Sequence, residues 1–293
     1  LKPSKVIVVK YEFWYFFLKS IVSNKIPLYL ISAYFLPHQV FFKKWGGFHR
    51  TMLSFFDHIF VQDESSLKLL ESIQINQVSI SGDTRIDRAV LTKKEMKPIP
   101  YIENWLPENS QVIVAGSTWK EDIDLLSKAY CQLPGFYWII APHNIDEVSL
   151  NTTLKGFPQD KVVLWSERAL KQDNEKRILV IDTMGMLKQI YQYANIVWIG
   201  GGFNRSGIHN LIEAAVFENS IYIGPNYERF KEAKDLIALN GVKSVSGVDE
   251  FTALIKDVEG QVLSQQVIQN YVEKQAGATQ LIWDFIENRQ LKN

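Results

Sequence analysis

The sequence predicts an α/β protein built from two Rossmann-like domains with parallel sheets, of which the N-terminal one is incomplete. Short apolar runs alternate with helical patterns along most of the 293 residues, which is typical of βα units that share a parallel sheet. The alternation is interrupted between residues 91 and 110, where lysines and prolines are frequent and apolar periodicity is weak. Fewer strands are expected before this interruption than after it, so the two domains should differ in size.

Helices and four strands are expected to alternate before the interruption. The strands are predicted at Val6–Val9, Pro27–Ser32, Phe55–Gln62 and Val78–Ser81. This number is too small for a complete Rossmann domain. The chain also starts with Leu1 instead of methionine and enters a strand almost at once. We therefore expect residues 1–93 to be the remainder of an N-terminal domain, in a chain cut from a longer protein.

A second series of strands and helices follows residues 91–110, which suit a linker between domains. Strands are predicted at 111–115, 136–141, 161–164, 178–181, 196–200, 220–223 and 242–245. Helices are predicted at 120–131, 144–154, 184–193, 207–217, 228–239 and 248–258, and again from about 264 to 293. We assign residues 94–276 to a C-terminal Rossmann-like domain, and we expect the last helix, 277–293, to join the N-terminal domain.

The composition excludes several classes of protein. Lys plus Arg and Asp plus Glu both number 32, so the formal net charge is zero, which argues against a general nucleic-acid binder. The sequence contains no apolar run of about 18 residues, so no transmembrane helix is predicted. The single cysteine, Cys131, has no partner for an internal disulfide.

A glycine cluster after the strand predicted at 196–200 carries the strongest functional signal. Residues 199–215 read IGGGFNRSGIHNLIEAA. Glycines let the backbone approach a ligand closely, and the start of the following helix offers free N–H groups suited to phosphate. Asn210 and Glu213 are three residues apart, so both can lie on one helical face, where a carboxylate can accept hydrogen bonds from ribose hydroxyls. The same residues also suit an ordinary strand–helix turn with Asn210 as its cap.

Four further loops follow strands of the same predicted sheet. They begin near residues 115, 141, 181 and 224, and all should lie at the carboxyl edge of the sheet, where open α/β sheets bind ligands. Each loop alone also suits an ordinary turn or capped helix start, and only their shared position favours a binding site. The side chains in these loops that can bind a ligand or cap a helix are Ser117, Thr118, Pro142, His143, Asp182 and Thr183.

The block of residues 181–230 closely resembles the Kdo transferases of lipopolysaccharide biosynthesis, where Kdo is 3-deoxy-D-manno-octulosonic acid. The family pattern runs approximately (V/I)DTMGxLxxxYxxAD, a glycine cluster, GxHNxxEAA and GPxxxxF. Here it reads IDTMGMLKQIYQYAN from residue 181, IGGG from 199, GIHNLIEAA from 207 and GPNYERF from 224. The family's AxST, KPxxxxxxxxExW and GNxKxD segments are matched by AGSTWKE from 115, by Lys2-Pro3 with Glu12-Phe13-Trp14, and by GDTRID from 82. The resemblance covers nearly the whole chain.

The resemblance implies a glycosyltransferase of the GT-B fold. It would move Kdo from CMP-Kdo to a lipid A precursor with inversion, at the cytoplasmic face of the bacterial inner membrane, as a peripheral or anchored protein. No metal and no cofactor besides the donor substrate are implied. Asn210 and Glu213 would hold the ribose, and Pro142, His143 and Met184 would line the cytosine. The complete implied set of donor-binding residues is Ser117, Thr118, Pro142, His143, Thr183, Met184, Gly185, Gly201, Gly202, Gly207, His209, Asn210 and Glu213.

The sequence departs from the family pattern in two segments. Many members have a base-contacting arginine directly after the proline of this segment, but here Pro142 is followed by His143 and Asn144, so that arginine is absent or replaced. Arg85 stands where a lysine is usual, which keeps the charge but changes its geometry.

The resemblance also suggests that family members continue for about a hundred residues upstream of Leu1. That segment would carry the membrane anchor, most of the acceptor site and the general base. Glu12 is the best catalytic candidate within this sequence, because a carboxylate after the first strand can orient an acceptor hydroxyl or assist its deprotonation. The alternative is an acid that only stabilises the start of a helix.

Residues 41–50, FFKKWGGFHR, mix aromatic and basic side chains. This mixture suits contact with an anionic membrane surface or with a phosphorylated acceptor. The residues we expect to make such contacts are Lys43, Lys44, Trp45 and Arg50. A half-buried helix with a solvated basic edge would show the same pattern.

Three other functions share part of this evidence. Another GT-B enzyme, with a UDP donor, would share the glycine cluster and the ribose-binding glutamate. A truncated domain could bind nucleotide without activity. A nicotinamide-dependent dehydrogenase would need GxGxxG directly after the first strand, and the sequence has none.

Overall fold

The structure is a computed structural model that describes residues 3–168 and 175–290, so Lys2 and residues 291–293 of the predicted last helix lie outside the described residues. Its strands are β1 (Val6–Val9), β2 (Leu28–Ala33), β3 (His58–Val61), β4 (Val78–Ile80), β5 (Val112–Thr118), β6 (Tyr137–Pro142), β7 (Val162–Leu164), β8 (Ile178–Val180), β9 (Ile196–Ile199), β10 (Ser220–Ile223) and β11 (Val242–Ser244). Its α-helices are α1 (Tyr15–Ser23), α2 (Gly47–Leu53), α3 (Glu64–Glu71), α4 (Thr84–Lys94), α5 (Pro100–Trp105), α6 (Lys120–Gln132), α7 (Glu147–Lys155), α8 (Leu187–Ile190), α9 (Ile212–Ala215), α10 (Lys231–Ala238), α11 (Val248–Lys256), α12 (Val258–Gln275) and α13 (Ala278–Gln290).

The chain forms two compact units. Unit 1 comprises Leu1–Arg88 together with Gln275–Asn293, and unit 2 comprises Ala89–Lys274. Each unit contains one parallel sheet, so the predicted α/β class with parallel sheets is confirmed.

Unit 1 contains a four-stranded sheet in the order β1-β2-β3-β4. Both faces of its central strands are covered, which is why these strands read as nearly continuous apolar runs in the sequence. One face packs in a core that includes Leu18 of α1, Leu53 of α2 and Leu70 of α3. On the other face, Tyr29 and Phe60 pack against α13.

The start of α13 is fixed by a side chain from the end of unit 1's first segment. The Asp87 carboxylate accepts hydrogen bonds from the backbone N–H groups of Gly277 and Thr279, both at 2.6 Å. Gly277 has a φ of +102°, a conformation that suits glycine. This glycine separates α12 from α13, where the sequence predicted helix without a break.

Unit 2 contains a seven-stranded sheet in the order β11-β10-β9-β5-β6-β8-β7, and all of its pairings are parallel. The strand order reverses on either side of β5, which is the position where doubly wound sheets bind ligands. Trp138 and Trp198 are fully buried in its core. Each predicted strand of this half is present, with ends that differ by a few residues.

Two predictions about helices are wrong. The interruption at 91–110, predicted to be a linker, contains α5, whose Ile102 and Trp105 are buried. This helix was not predicted because a short helix that begins at a proline shows no apolar periodicity. The helix predicted at 207–217 is reduced to α9, Ile212–Ala215. Upstream of α9, the side-chain oxygen of Asn204 accepts hydrogen bonds from the N–H groups of Ser206 and Gly207, which stabilises a turn instead of a helix.

Candidate functional site

The loops singled out in the sequence lie at one edge of unit 2's sheet. The strands that precede them are neighbours in the order β10-β9-β5-β6-β8, and parallel strands end on the same side. The convergence of these loops at the carboxyl edge, expected from the sequence, is therefore confirmed. The sheet brings together the residues after β5, β6, β9 and β10 most closely, while the loop after β8 lies two strands away from β5.

The glycines after β9 allow neighbouring loops to pack backbone against backbone. A Cβ atom on Gly202 would lie 2.5 Å from the backbone nitrogen of Gly224, and one on Gly200 would lie 2.3 Å from the carbonyl oxygen of Ser117. Gly201 and Gly207 have φ values of +90° and +81°, which disfavour other residues. The cluster thus joins the ends of β5, β9 and β10 into one surface, and its glycines are needed for close approach.

Asp122 connects these loops, and our reading of the sequence missed it. Its side chain is fully buried. One carboxylate oxygen accepts hydrogen bonds from the backbone N–H groups of Trp119 and Gly201 at 2.8 and 2.9 Å, and the other accepts from Trp198 Nε1 at 3.0 Å. Burial raises the pKa of Asp122 above its ordinary value, although these three hydrogen bonds act in the opposite direction. An acidic residue at the third position of a helix is a common capping signal, so the contact of Asp122 with Trp119 could have been predicted from the sequence. The contact with Gly201 could not.

Three aromatic rings meet above the ends of β5, β6 and β9. The rings of Trp119 and His143 are stacked, with centroids 4.4 Å apart, and those of His143 and His209 are 4.3 Å apart. Burial, and then the neighbouring His143, lower the pKa of His209. A groove of about 200 Å³ opens beside Trp119 and His143, between α6 and α7. Two predicted site residues, His143 and His209, are thus in contact, and Trp119 joins them.

Ser117 and Thr118 end β5 in an unusual conformation. Ser117 has a φ of +52°, and the pairing of β5 with β6 shifts register between Gly116 and Thr118. The Thr118 hydroxyl is buried and has no hydrogen-bond partner within residues 3–168 and 175–290. Strained backbone and unsatisfied buried hydroxyls are both enriched at binding sites.

Asn210 and Glu213 do not share a helical face as predicted, because Asn210 precedes α9 and is exposed. Glu213 lies in the first turn of α9 and is half-buried. The pKa of the buried Tyr191 is raised mainly by burial and, to a smaller extent, by the charge of Glu213. A Cβ atom on Gly116 would lie 2.2 Å from the Tyr191 hydroxyl, so this tyrosine packs directly against β5.

The loop after β8 holds Thr183, Met184 and Gly185. All three residues are exposed, Met184 to 71%, and Gly185 has a φ of +86°. The prediction that Asp182 or Thr183 caps the next helix is wrong, since α8 has no side-chain cap. The Asp182 carboxylate accepts hydrogen bonds from the backbone N–H and hydroxyl of Ser166 instead.

Glu12 of unit 1 lies between β1 and α1 and is exposed. It precedes the first turn of α1, which contains no acidic residue. Its carboxylate accepts a hydrogen bond from Trp14 Nε1 at 2.6 Å. Glu12 is therefore a surface carboxylate held beside an exposed indole.

The aromatic and basic segment of unit 1 is only partly free to make contacts. Lys44 and Trp45 are exposed, Trp45 to 73%, and Lys43 is half-buried. Arg50 is engaged inside the segment, where it donates hydrogen bonds to the carbonyl oxygens of Phe41 and Lys43 at 3.0 and 2.9 Å. Arg50 thus shapes the loop that displays the other residues. Further large apolar side chains of unit 1 are exposed just before α1, on α1 and on α2, namely Trp14, Phe16, Phe17 and Phe48.

Within the part of the chain that the structure describes, no group of three or more His, Cys, Asp or Glu side chains is arranged to hold a metal ion. No helix of that part has the length and apolar character needed to cross a membrane.

Comparison with known proteins agrees with the family that the motifs resemble. Residues 1–88 match the family described as 3-deoxy-D-manno-octulosonic-acid transferase (Kdo transferase). A 3-deoxy-D-manno-octulosonic acid transferase of Aquifex aeolicus is 22% identical over 285 residues, which cover 93% of this chain and 72% of the relative.

Two solved structures share the fold. The chain resembles the C-terminal CMP-Kdo binding domain of WaaA from Acinetobacter baumannii with a TM-score of 0.50 and 21% identity, over 62% of this chain and 98% of that domain. It resembles a UDP-N-acetylglucosamine 2-epimerase from Listeria monocytogenes with a TM-score of 0.67 and 12% identity, over 99% of this chain and 76% of that one. The GT-B type of fold is thereby confirmed.

Proposed function

We propose that the chain, which is similar to Kdo transferases over most of its length, is an inverting glycosyltransferase that moves Kdo from CMP-Kdo to a lipid A precursor. The observation that carries this proposal is the convergence, at one sheet edge, of the glycine cluster, the histidine rings and the end of β5. Open α/β sheets bind nucleotides at this position.

The chemistry of the edge suits a nucleotide linked to an acidic sugar. Backbone groups brought together around Gly200–Gly202 can approach phosphate closely, and the unpaired Thr118 hydroxyl can donate to a phosphate or carboxylate oxygen. Glu213 can accept hydrogen bonds from ribose hydroxyls, as the family resemblance implies. We assign the cytosine to Pro142, His143 and Met184, as the family resemblance implies.

Calorimetric titration of the chain with CMP, UMP and NAD tests the donor assignment. We expect measurable CMP binding and weaker binding of the other two ligands. Glu213→Ala should weaken CMP binding by about 1–3 kcal/mol, because the ribose would lose hydrogen bonds to a half-buried acceptor. Glu259→Ala is a matched control, since Glu259 is exposed on α12 of the same unit.

The outcomes separate the candidate functions. Preferential UMP binding would replace the Kdo assignment with a UDP-dependent GT-B enzyme. CMP binding without transfer to a lipid A precursor would leave a nucleotide-binding domain. Binding that is unchanged in Glu213→Ala would remove this residue from the ribose site.

For the acceptor side we propose that Glu12 orients the acceptor hydroxyl or assists its deprotonation. The Glu12 carboxylate is exposed next to the Trp14 indole and is therefore accessible to a ligand. Glu12→Gln should lower kcat and leave the dissociation constant of CMP unchanged, because Glu12 belongs to unit 1 and the proposed CMP-binding residues belong to unit 2. An unchanged kcat would place the general base elsewhere.

We further propose that unit 1 associates with the cytoplasmic face of the inner membrane. Tyr15 of α1 packs on Phe48 of α2 with ring centroids 4.8 Å apart, so the two helices are neighbours. Phe16 on α1 is 83% exposed and Trp45, just before α2, is 73% exposed. Exposed aromatics beside Lys43 and Lys44 suit the interface of an anionic bilayer.

Sedimentation with lipid vesicles tests this surface. The chain should bind vesicles that contain phosphatidylglycerol more strongly than phosphatidylcholine vesicles, and added salt should weaken the binding. The double variant Phe16→Ser and Trp45→Ser should lose most of it. Leu263→Ser, which removes a 66% exposed apolar side chain of α12, should bind like the wild type. Equal binding by the double variant would exclude this surface.

A further inference from the structure

Trp119 contacts two predicted donor-binding residues but has no role in the proposed function so far. Its indole stacks on the His143 ring. Its Nε1–H group also donates a hydrogen bond to Nε2 of His209 at 3.3 Å. The indole therefore has both a packing contact and a directed polar contact within the ring cluster formed by Trp119, His143 and His209.

The hydrogen bond determines which nitrogen of His209 carries a proton. A ring nitrogen that accepts a hydrogen bond has no proton of its own, so Nε2 is unprotonated and the neutral ring carries its proton on Nδ1. A charged His209 would have to protonate Nε2 and would lose the bond to Trp119. Burial and the neighbouring His143 lower the pKa of His209, in agreement with a neutral ring near pH 7.

Each ring of the cluster is held by the backbone of the sheet edge. The backbone N–H of Trp119 donates to the buried Asp122 carboxylate at 2.8 Å. The backbone N–H groups of His143 and His209 donate to the carbonyl oxygens of Thr118 and Gly200, at 3.0 and 3.2 Å. The indole nitrogen is thus fixed relative to the imidazole it faces, which a directed hydrogen bond requires.

We propose that Trp119 is a positioning residue that holds His209 as the neutral Nδ1–H tautomer, so that this ring presents one N–H donor to an oxygen of the bound donor substrate. The inference rests on the proposed donor site. The group recognised would be an anionic oxygen of phosphate or carboxylate, since a neutral ring offers such an oxygen a donor without requiring a buried cation.

Nitrogen NMR of the full chain labelled with 15N-histidine tests the tautomer directly. The chain has five histidines, and the signal that disappears in His209→Gln identifies His209. We expect a pyrrole-like Nδ1 and a pyridine-like Nε2. In Trp119→Phe, which keeps an aromatic ring but removes the N–H donor, the Nε2–H tautomer should become populated and the pKa of His209 should rise.

Trp105→Phe is the matched control. It makes the same chemical change at a buried indole of unit 2 whose Nε1 has no hydrogen-bond partner among the described residues. It should leave the tautomer and the pKa of His209 unchanged. For CMP, we expect a loss of affinity of about tenfold in Trp119→Phe, which corresponds to about 1.4 kcal/mol.

The measurements separate this proposal from the donor assignment. A protonated Nε2 of His209 in the wild-type chain would overturn the proposal. This measurement needs no variant, so the test remains valid even if Trp119→Phe folds poorly. Unchanged tautomer and pKa in a folded Trp119→Phe variant would also overturn it. Absence of CMP binding with the expected tautomer would refute the donor site and leave the role of Trp119 in setting the tautomer intact.

Discussion

Replacement of Asp122 by asparagine tests whether one buried carboxylate organises the site. The two carboxylate oxygens accept three hydrogen bonds, from Trp119 N–H, Gly201 N–H and Trp198 Nε1–H. An amide has only one acceptor oxygen, so at least one of these donors must lose its partner inside the protein. One unsatisfied buried donor costs about 1–3 kcal/mol of the free energy of unfolding. We expect Asp122→Asn to fall near the lower value, because burial raises the pKa of Asp122 and a neutral amide avoids that desolvation cost.

Asp122→Ala removes all three acceptor contacts and should cost more, on the order of 3–5 kcal/mol. Urea unfolding followed by near-UV circular dichroism gives both free energies, and calorimetry with CMP reports the effect on the loop at Gly201. The control is Asp124→Asn on the same helix. Asp124 is exposed and pairs with Lys120 one helical turn away, so its loss should cost no more than about 0.5 kcal/mol. Wild-type stability together with wild-type CMP affinity in Asp122→Asn would refute this reasoning.

Three further changes have expected outcomes. Gly202→Ala would place a methyl group 2.5 Å from the backbone of Gly224 and should lower the thermal midpoint and CMP affinity, while Gly247→Ala, which meets no atom within 4 Å, should change neither. Burial, and to a smaller extent the charge of Arg289, lower the pKa of His58 from 6.5 to about 4. The contribution of His58 to the free energy of unfolding is therefore present above pH 6.5 and lost as the pH falls towards 4. If the urea midpoint of His58→Phe depended on pH in the same way as that of the wild type, this prediction would be wrong. Asp87→Ala should destabilise unit 1 by about 1 kcal/mol, and hydrogen exchange at the start of α13 should show faster opening.

Most strands were predictable because burial on both sheet faces makes them apolar; β1 is an exception, since its Ile7 and Val9 are exposed, and only its apolar run identified it. The runs at Val6–Val9 and Ser220–Ile223 have the predicted bounds. The position of the loops at one edge follows from parallel pairing alone, once the order of strands and helices is known. The proposed function was predicted from the likeness of GIHNLIEAA to a family motif. The periodicity of apolar residues carries no information about function.

The local structure of the glycine loop was not predictable in the same way. The apolar spacing of residues 207–217 is compatible with a helix, but the Asn204 side chain satisfies backbone N–H groups at Ser206 and Gly207 and thereby stabilises a turn. The role of Asp122 depends on a contact with Gly201, which lies 79 residues further along the chain. Such a contact is set by the sheet order and has no signature in the spacing of residues.

The return of the chain to unit 1 affects the order in which the two units can complete their folding during synthesis. Unit 2 is continuous in sequence from Ala89 to Lys274, so all of its strands are available before the ribosome reaches α13. Unit 1 is different, because Tyr29 and Phe60 pack against Ile282 and Ile286, which are translated more than two hundred residues after them. A nascent chain therefore carries one face of the unit 1 sheet uncovered until α13 emerges from the ribosome. The strands of unit 1 are made long before the helix that covers this face.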